Sequence, residues 1–188
     1  ANSVFNPDKK VLVIGNEVTS KYSRRSENEY YNIAKYNHEV VRNRHGNYML
    51  FFPSHMFLQK IYGIYQQHFL DESYEECILQ EDFMNEESRE VFLKRFSWTD
   101  SVNGEDRTLL GFCVLGGIFS EGIDLKNDSL IGAIIIGTGL PQVCNEREIL
   151  KKYFDGHGGN GFDYAYRYPG MNKVLQAAGR VIRTAEDI

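Results

Sequence analysis

Hydrophobic positions along this chain fall into short continuous runs, each closed by glycine or proline. Between them lie polar stretches whose apolar residues keep helical spacing. The first run, Val11-Leu12-Val13-Ile14, ends at Gly15 and predicts a strand buried on both faces. Residues 26–44 predict a long polar helix, with Ser26 as its N-cap and Glu27 and Glu29 in the first turn, where negative charge is favoured. Gly46-Asn47 stops it. Residues 48–52, Tyr-Met-Leu-Phe-Phe, predict a second strand closed by Pro53. Ser54 stands where a cap would stand, and Met56, Leu58, Ile61, Tyr62 and Tyr65 mark the helix after it. A short strand is expected at 77–79. Asn85 and Glu86-Glu87 then open a helix marked by Val91, Phe92, Arg95 and Phe96, and 97–106 is a polar loop. Runs at 109–115 and 130–136, ending at Gly116-Gly117 and Gly137, predict two further strands. Helices near 145–154 and 171–184 close the chain.

Strand and helix signals alternate throughout, with no repeat and no Pro/Gly-rich linker. That order predicts a single α/β domain over residues 1–188, with a mainly parallel sheet and helices on both faces. Such sheets bind ligands beyond the carboxyl ends of their strands, where the glycine-ended loops fall.

Composition narrows the function classes. The 188 residues carry 21 Lys+Arg against 26 Asp+Glu, a net charge of -5, so nucleic acid cannot be held by bulk charge and any contact must be local. The three cysteines, Cys77, Cys113 and Cys144, form no CxxC pair, which argues against a disulfide framework or a metal site and for a reducing, cytoplasmic setting. No apolar run is long enough to span a bilayer, so no membrane association is expected.

Three constellations carry candidate chemistry. In Gln176-Ala-Ala-Gly179-Arg180-Val-Ile-Arg183, the four named residues sit at i, i+3, i+4 and i+7 and share one face of a continuous helix, with Leu175, Ala178 and Ile182 as the anchoring stripe. Gly179 inside a helix costs about 1 kcal/mol against alanine, which suggests close approach by a ligand or backbone. Two guanidiniums and an amide suit a triphosphate, because arginine grips phosphate oxygens bidentately. The plainer reading is a solvated basic face. The second constellation, residues 116–125, follows a strand with Gly116, Gly117 and Gly122 beside Ser120, Glu121 and Asp124, and suits a loop touching phosphate or ribose. It could also be an ordinary strand-to-helix turn. The third is Phe51-Phe52-Pro53-Ser54-His55, where a helix N-terminus could take a nucleic-acid phosphate, although a serine cap most often serves only its own helix.

One decoy stands apart. Gly156-His-Gly158-Gly-Asn-Gly161 spells GxGxxG, but a helix-like segment precedes it and the aperiodic 162–169 follows, so it reads as a flexible surface loop. The five histidines show no metal-ligand spacing, and no GxxxxGK[ST] loop occurs.

Taken together, these motifs resemble the second motor domain of superfamily-two helicases of the DinG/XPD-like group. Residues 116–125 resemble the group's fifth motif through Ser-Glu-Gly-Ile-Asp, and residues 176–183 its sixth, QxxGRxxR. Residues 46–54 resemble the fourth-motif strand and turn. Ser20-Lys21-Tyr22-Ser23-Arg24-Arg25 resembles the Ser-Lys/Arg-aromatic stretch ahead of a helix, and 137–141 the Gly-x-x-Leu-Pro turn nearest the DinG branch.

The resemblance implies a RecA-like lobe, one half of an ATP-dependent DNA helicase, cut from a longer chain and monomeric by itself. By that resemblance Arg180 and Arg183 would reach the γ-phosphate of ATP held with Mg2+ by a first RecA-like lobe, and Gln176 would orient phosphate or water. Gly122, Asp124, Glu121 and Gly179 would line the nucleotide side. Ser54 and Ser120 would touch phosphates of single-stranded DNA, joined by Lys21, Arg24 and Arg25. Tyr164, Tyr166 and Tyr168 could stack on bases but more naturally pack. A 4Fe-4S cluster, where the family has one, belongs to the first lobe. The competing expectations are a nucleotide-binding regulatory or interaction domain without helicase activity, and a nucleotide-dependent oxidoreductase built on the 156–161 loop.

Overall fold

The computed structural model describes residues 11–97, 107–119, 125 and 129–181. Four parallel strands form one sheet: β1 (Asn47–Phe52), β2 (Glu75–Leu79), β3 (Thr108–Val114) and β4 (Gly132–Ile135), in the order β2-β3-β1-β4. The helices are α1 (Glu27–Val41), α2 (His55–His68), α3 (Glu86–Phe96), α4 (Asn145–Gly156) and α5 (Tyr168–Ala178). This is the α/β architecture that the alternating pattern predicts.

Strand β1 explains why the runs are continuous. Tyr48, Leu50 and Phe52 point to one face, where they meet Ile33, Ala34 and Val41 of α1 and Phe57, Leu58, Ile61 and Tyr65 of α2. Met49 and Phe51 point to the other, against Phe92 and Phe96 of α3 and Ala177 of α5. Both sides of the sheet are covered, so every position of β1 is buried. Near the centre of the first face, Phe112 of β3 lies parallel to Phe52 at 5.6 Å between ring centroids and meets Tyr62 edge-on at 5.1 Å.

The caps form where the sequence places them. Ser26 accepts the Glu29 N–H at 3.1 Å, Ser54 the Phe57 N–H at 3.3 Å, and Asn85 the Ser88 N–H at 2.8 Å.

The first apolar run departs from expectation. Residues 11–14 form no strand, and Val11, Leu12, Val13 and Ile14 are 75–90% exposed. Both edges of β1 are taken, by β3 and β4, and the chain that follows residue 14 is tied to α1 instead of the sheet. Tyr36 Oη donates to Glu17 at 2.5 Å, the Thr19 N–H donates to Glu29, and Val18 packs against the α1–α2 core.

The glycine decoy also differs in detail. It is a tight helix–helix turn rather than a flexible loop: Gly156 ends α4, Gly158 takes φ +79°, and a Cβ at Gly161 would overlap the Lys151 carbonyl. Residues 163–167, read as aperiodic, are a π-helical turn running directly into α5. Tyr166 is buried there and donates to Glu148 at 2.6 Å, while Tyr164 stacks on Phe154 at 4.0 Å.

Candidate nucleotide and nucleic-acid site

The strand order reverses direction at β3 and β1. From β1 the chain passes outward to β2 and returns to β3, then crosses to β4 on the other side of β1. Ligand crevices of open α/β sheets lie at such a point, beyond the carboxyl ends of the two strands. Here those ends carry Pro53-Ser54 after β1 and Leu115-Gly116 after β3.

Residues expected on the nucleic-acid side gather around this edge. Lys21 leads into a 3-10 turn, Tyr22–Arg24, that leans on the loop after β4: Gly137 has φ +89°, and a Cβ there would overlap Ser20 Oγ. Arg25 ties the turn to the start of α2. Its guanidinium lies 4.8 Å from the Phe57 ring centroid and 5.2 Å from that of Tyr22, and its Nε donates to the Ser20 carbonyl at 3.2 Å. Arg25 is therefore committed to packing, whereas Lys21 and Arg24 are exposed. The Ser54 hydroxyl accepts from its own helix and keeps its proton for another acceptor. Ser20, Arg25 and Ser54 thus connect β4, β1 and α2 at one edge.

On the nucleotide side the picture is corrected in two respects. The helix that carries Gln176 ends at Ala178, so Gly179 is its C-cap and not an interior residue, and the interior penalty does not arise. The Gly179 N–H still bonds the Leu175 carbonyl at 2.9 Å, and Arg180 and Val181 follow with bonds three residues back. One continuous helical face through residue 180 is therefore not formed. The buried stripe is also different: Leu175 is 63% exposed and Ala178 is exposed, while Val174, Ala177 and Val181 face the sheet. Small and β-branched residues at i, i+3 and i+7 make the close-packed stripe, and the leucine lies outside it.

That stripe is informative. Ala177, Val174 and Val181 share one core cluster with Phe119, fully buried, and Leu125. Phe119 stacks on Phe92 of α3 at 4.2 Å, and Phe119 and Leu125 belong to the core on the sheet face that α3 and α5 cover. Gln176 is exposed and Arg180 half-buried. Ser120, Glu121, Gly122, Asp124 and Arg183 lie outside the described residues.

Two neighbours escaped the sequence reading. His55 Nδ1 stands 3.0 Å from Asp82, linking the start of α2 to the loop after β2. Lys173, one turn before Gln176, runs over Gly116. Its spacing from Gln176 is a signal the sequence held. The cysteines sit on β2, on β3 and at the N-cap of α4, unpaired, and no three His, Cys, Asp or Glu side chains cluster as metal ligands among the described residues. No helix among the described residues is long and apolar enough to cross a membrane.

A family model described as "helicase C-terminal domain" matches residues 37–188. The chain belongs to this family. Among curated relatives, the helicase domain is 35% identical over 105 residues to the ATP-dependent DNA helicase DinG of Photobacterium profundum, covering 55% of this chain and 14% of that protein. It is 25% identical over 184 residues to the ATP-dependent DNA helicase XPD of Sulfolobus acidocaldarius, covering 93% and 29%. Against the ATP-dependent DNA helicase CHL1 of Debaryomyces hansenii it is 26% identical over 152 residues, covering 77% and 18%. The helicase domain thus spans under a third of the length of each of these relatives. Two solved structures titled as XPD, one helicase and one apo form, superpose with TM-scores of 0.63 and 0.66 at 23% and 21% identity. They cover 92% and 90% of this chain and 29% and 32% of theirs, and establish a shared fold.

Proposed function

We propose that this domain is the second RecA-like lobe of a DinG/XPD-like, ATP-dependent DNA helicase. It works opposite a first lobe that holds the phosphate loop and the Mg2+-binding acids. The observation that supports the reading is the match of the helicase C-terminal domain model to residues 37–188, on a fold whose core joins Val174, Ala177 and Val181 with Phe119 and Leu125 in one cluster.

Bound Mg2+-ATP would supply the phosphoryl group to be transferred. Toward it, Arg180 and Arg183 donate guanidinium N–H groups that neutralise charge on the γ-phosphate oxygens, as arginine fingers do. The Gln176 amide orients a phosphate oxygen or the attacking water, Asp124 and Glu121 accept from ribose hydroxyls or from the arginines, and Gly122 and Gly179 permit close approach. Lys21 and Arg24, exposed at the 3-10 turn, pair with phosphates of single-stranded DNA, and the Ser54 and Ser120 hydroxyls donate to them. Arg25 shapes that surface more than it contacts the strand, since its guanidinium is already engaged. Movement of the DNA follows when closure of the two lobes around nucleotide shifts this surface along the strand.

The test is steady-state ATP hydrolysis by the full-length protein with and without single-stranded DNA. Hydrolysis that rises with DNA is expected, and the 188-residue chain alone should hydrolyse none, because half the pocket lies elsewhere. Absence of hydrolysis by the full-length protein, or turnover by the isolated lobe, contradicts the reading.

A further inference from the structure

Lys173 is a half-buried residue of α5 whose side chain is threaded between the loops that leave β3 and β4. A Cβ on Gly116 would lie 2.9 Å from Lys173 Cδ, 3.0 Å from Cε and 3.2 Å from Nζ, and one on Gly139 would lie 3.5 Å from Cδ. Both glycines take left-handed φ, +75° and +59°. At Gly116 the missing Cβ therefore meets two demands, the backbone turn and the passage of the lysine stem, whereas at Gly139 the lysine is at ordinary contact distance and Leu115 is the close neighbour. The ammonium emerges beside Gly116, at the mouth of the loop that runs to residue 125, and one helical turn from Gln176.

Among the described residues its ammonium meets no carboxylate, whereas Lys60 and Lys151 pair with Glu27 and Asp155 at 3.4 and 2.9 Å. A lysine whose stem is held between two loops presents its ammonium at a fixed place, where it can pair with an anionic ligand. Its place, at the carboxyl edge where the strand order reverses, is where such a fold takes its ligand.

We propose that Lys173 binds a phosphate group of the bound ligand, as a point charge delivered between the two loops. This rests on the reading above that the edge serves ATP and DNA. Phosphate could come from the DNA backbone or from the nucleotide, and the chemistry is the same: three ammonium donors to a dianionic or monoanionic oxygen set, with no recognition of a base.

The experiment uses the full-length protein, with Lys173→Met to keep the stem packing and Lys173→Arg to keep the charge. Affinity for a fluorescein-labelled oligothymidylate is measured across salt concentrations, and the KM for ATP at saturating DNA. If the phosphate is DNA's, Lys173→Met weakens binding about tenfold and lowers the log–log salt slope by about 0.7, with KM unchanged. If it is the nucleotide's, KM rises about tenfold and the salt slope stays. In both cases Lys173→Arg restores most of the loss. A Lys173→Met protein that loses thermal stability while slope and KM both match wild type makes the lysine structural and overturns the inference alone. Should the methionine variant fail to fold, a wild-type slope and KM in Lys173→Gln overturns it equally. Wild-type protein that binds neither DNA nor ATP overturns the proposed function and this inference together.

Discussion

Replacing Gly111 or Gly63 by alanine adds the same methyl group to two surroundings of opposite character. Gly111 lies in the middle of β3, between Met49 of β1 and Ile78 of β2. A Cβ there would come within 2.5 Å of Phe96 Cζ, 3.2 Å of its Cε2 and 3.4 Å of Phe92 Cζ. Neither ring can retreat: Phe96 is fully buried, and Phe92 stacks on Phe119 at 4.2 Å. Overpacking of this kind costs about 1–3 kcal/mol, against about 0.4–1 kcal/mol returned by a stiffer unfolded chain, so mid-range values leave a net loss of about 1.3 kcal/mol. Gly63 is on the exposed side of α2 with nothing within 4 Å of an added Cβ, and alanine there gains about 1 kcal/mol of helix propensity. Urea unfolding followed by far-UV circular dichroism should give a lower midpoint for Gly111→Ala and a higher one for Gly63→Ala, with unchanged slopes. Gly111→Ala at or above wild-type stability would refute the close packing of α3 on β3.

Thiol chemistry and pH supply further checks. Burial pushes the Cys77 thiol up to about 12 and raises that of fully buried Cys113, while Cys144 is exposed; a disulfide reagent at pH 8 should therefore titrate one thiol quickly in native protein and all three in urea. Three fast native thiols would contradict the burial. Burial also holds the Glu75 carboxyl above its ordinary value of 4.5, even though it accepts from Tyr65 Oη at 3.2 Å. A raised carboxyl stabilises the fold below its unfolded value and loses that contribution as pH rises through the folded one. Glu75→Gln should accordingly be more stable than wild type at pH 7, with the difference shrinking toward pH 4 in denaturant midpoints; the reverse trend would show that the ionised form is favoured.

Much of the sheet was legible because its strands are buried on both sides and so carry unbroken apolar runs, as at 48–52 and 109–115. The helix starts were legible because Ser26, Ser54 and Asn85 cap them with their own side chains. Residues 11–14 misled because a run records hydrophobicity and not where the chain after it is anchored, here on α1 through Glu17, Val18 and Thr19. The face of α5 misled for a related reason: leucine is the stronger apolar signal, but Val174 and Ala177 pack against the sheet because their small volume lets the helix come close. The candidate motifs were readable as residue types, and Lys173 could be placed one turn before Gln176, whereas its path over Gly116 is three-dimensional information. The engagement of Arg25 with Phe57 is likewise invisible in the stretch Ser20-Lys21-Tyr22-Ser23-Arg24-Arg25.

The central claim is that the residues after α5 act on ATP held by another lobe. Its most direct test is kcat for DNA-stimulated ATP hydrolysis by the full-length protein carrying Arg183→Ala, with single-stranded DNA affinity measured alongside. An arginine finger is worth roughly 10³–10⁵ in rate, about 4–7 kcal/mol of transition-state stabilisation, so turnover should all but vanish while DNA affinity stays near wild type. Arg183→Lys should restore little of it, because an ammonium lacks the bidentate fork. An Arg183→Ala protein that keeps more than half of the wild-type kcat would contradict the account.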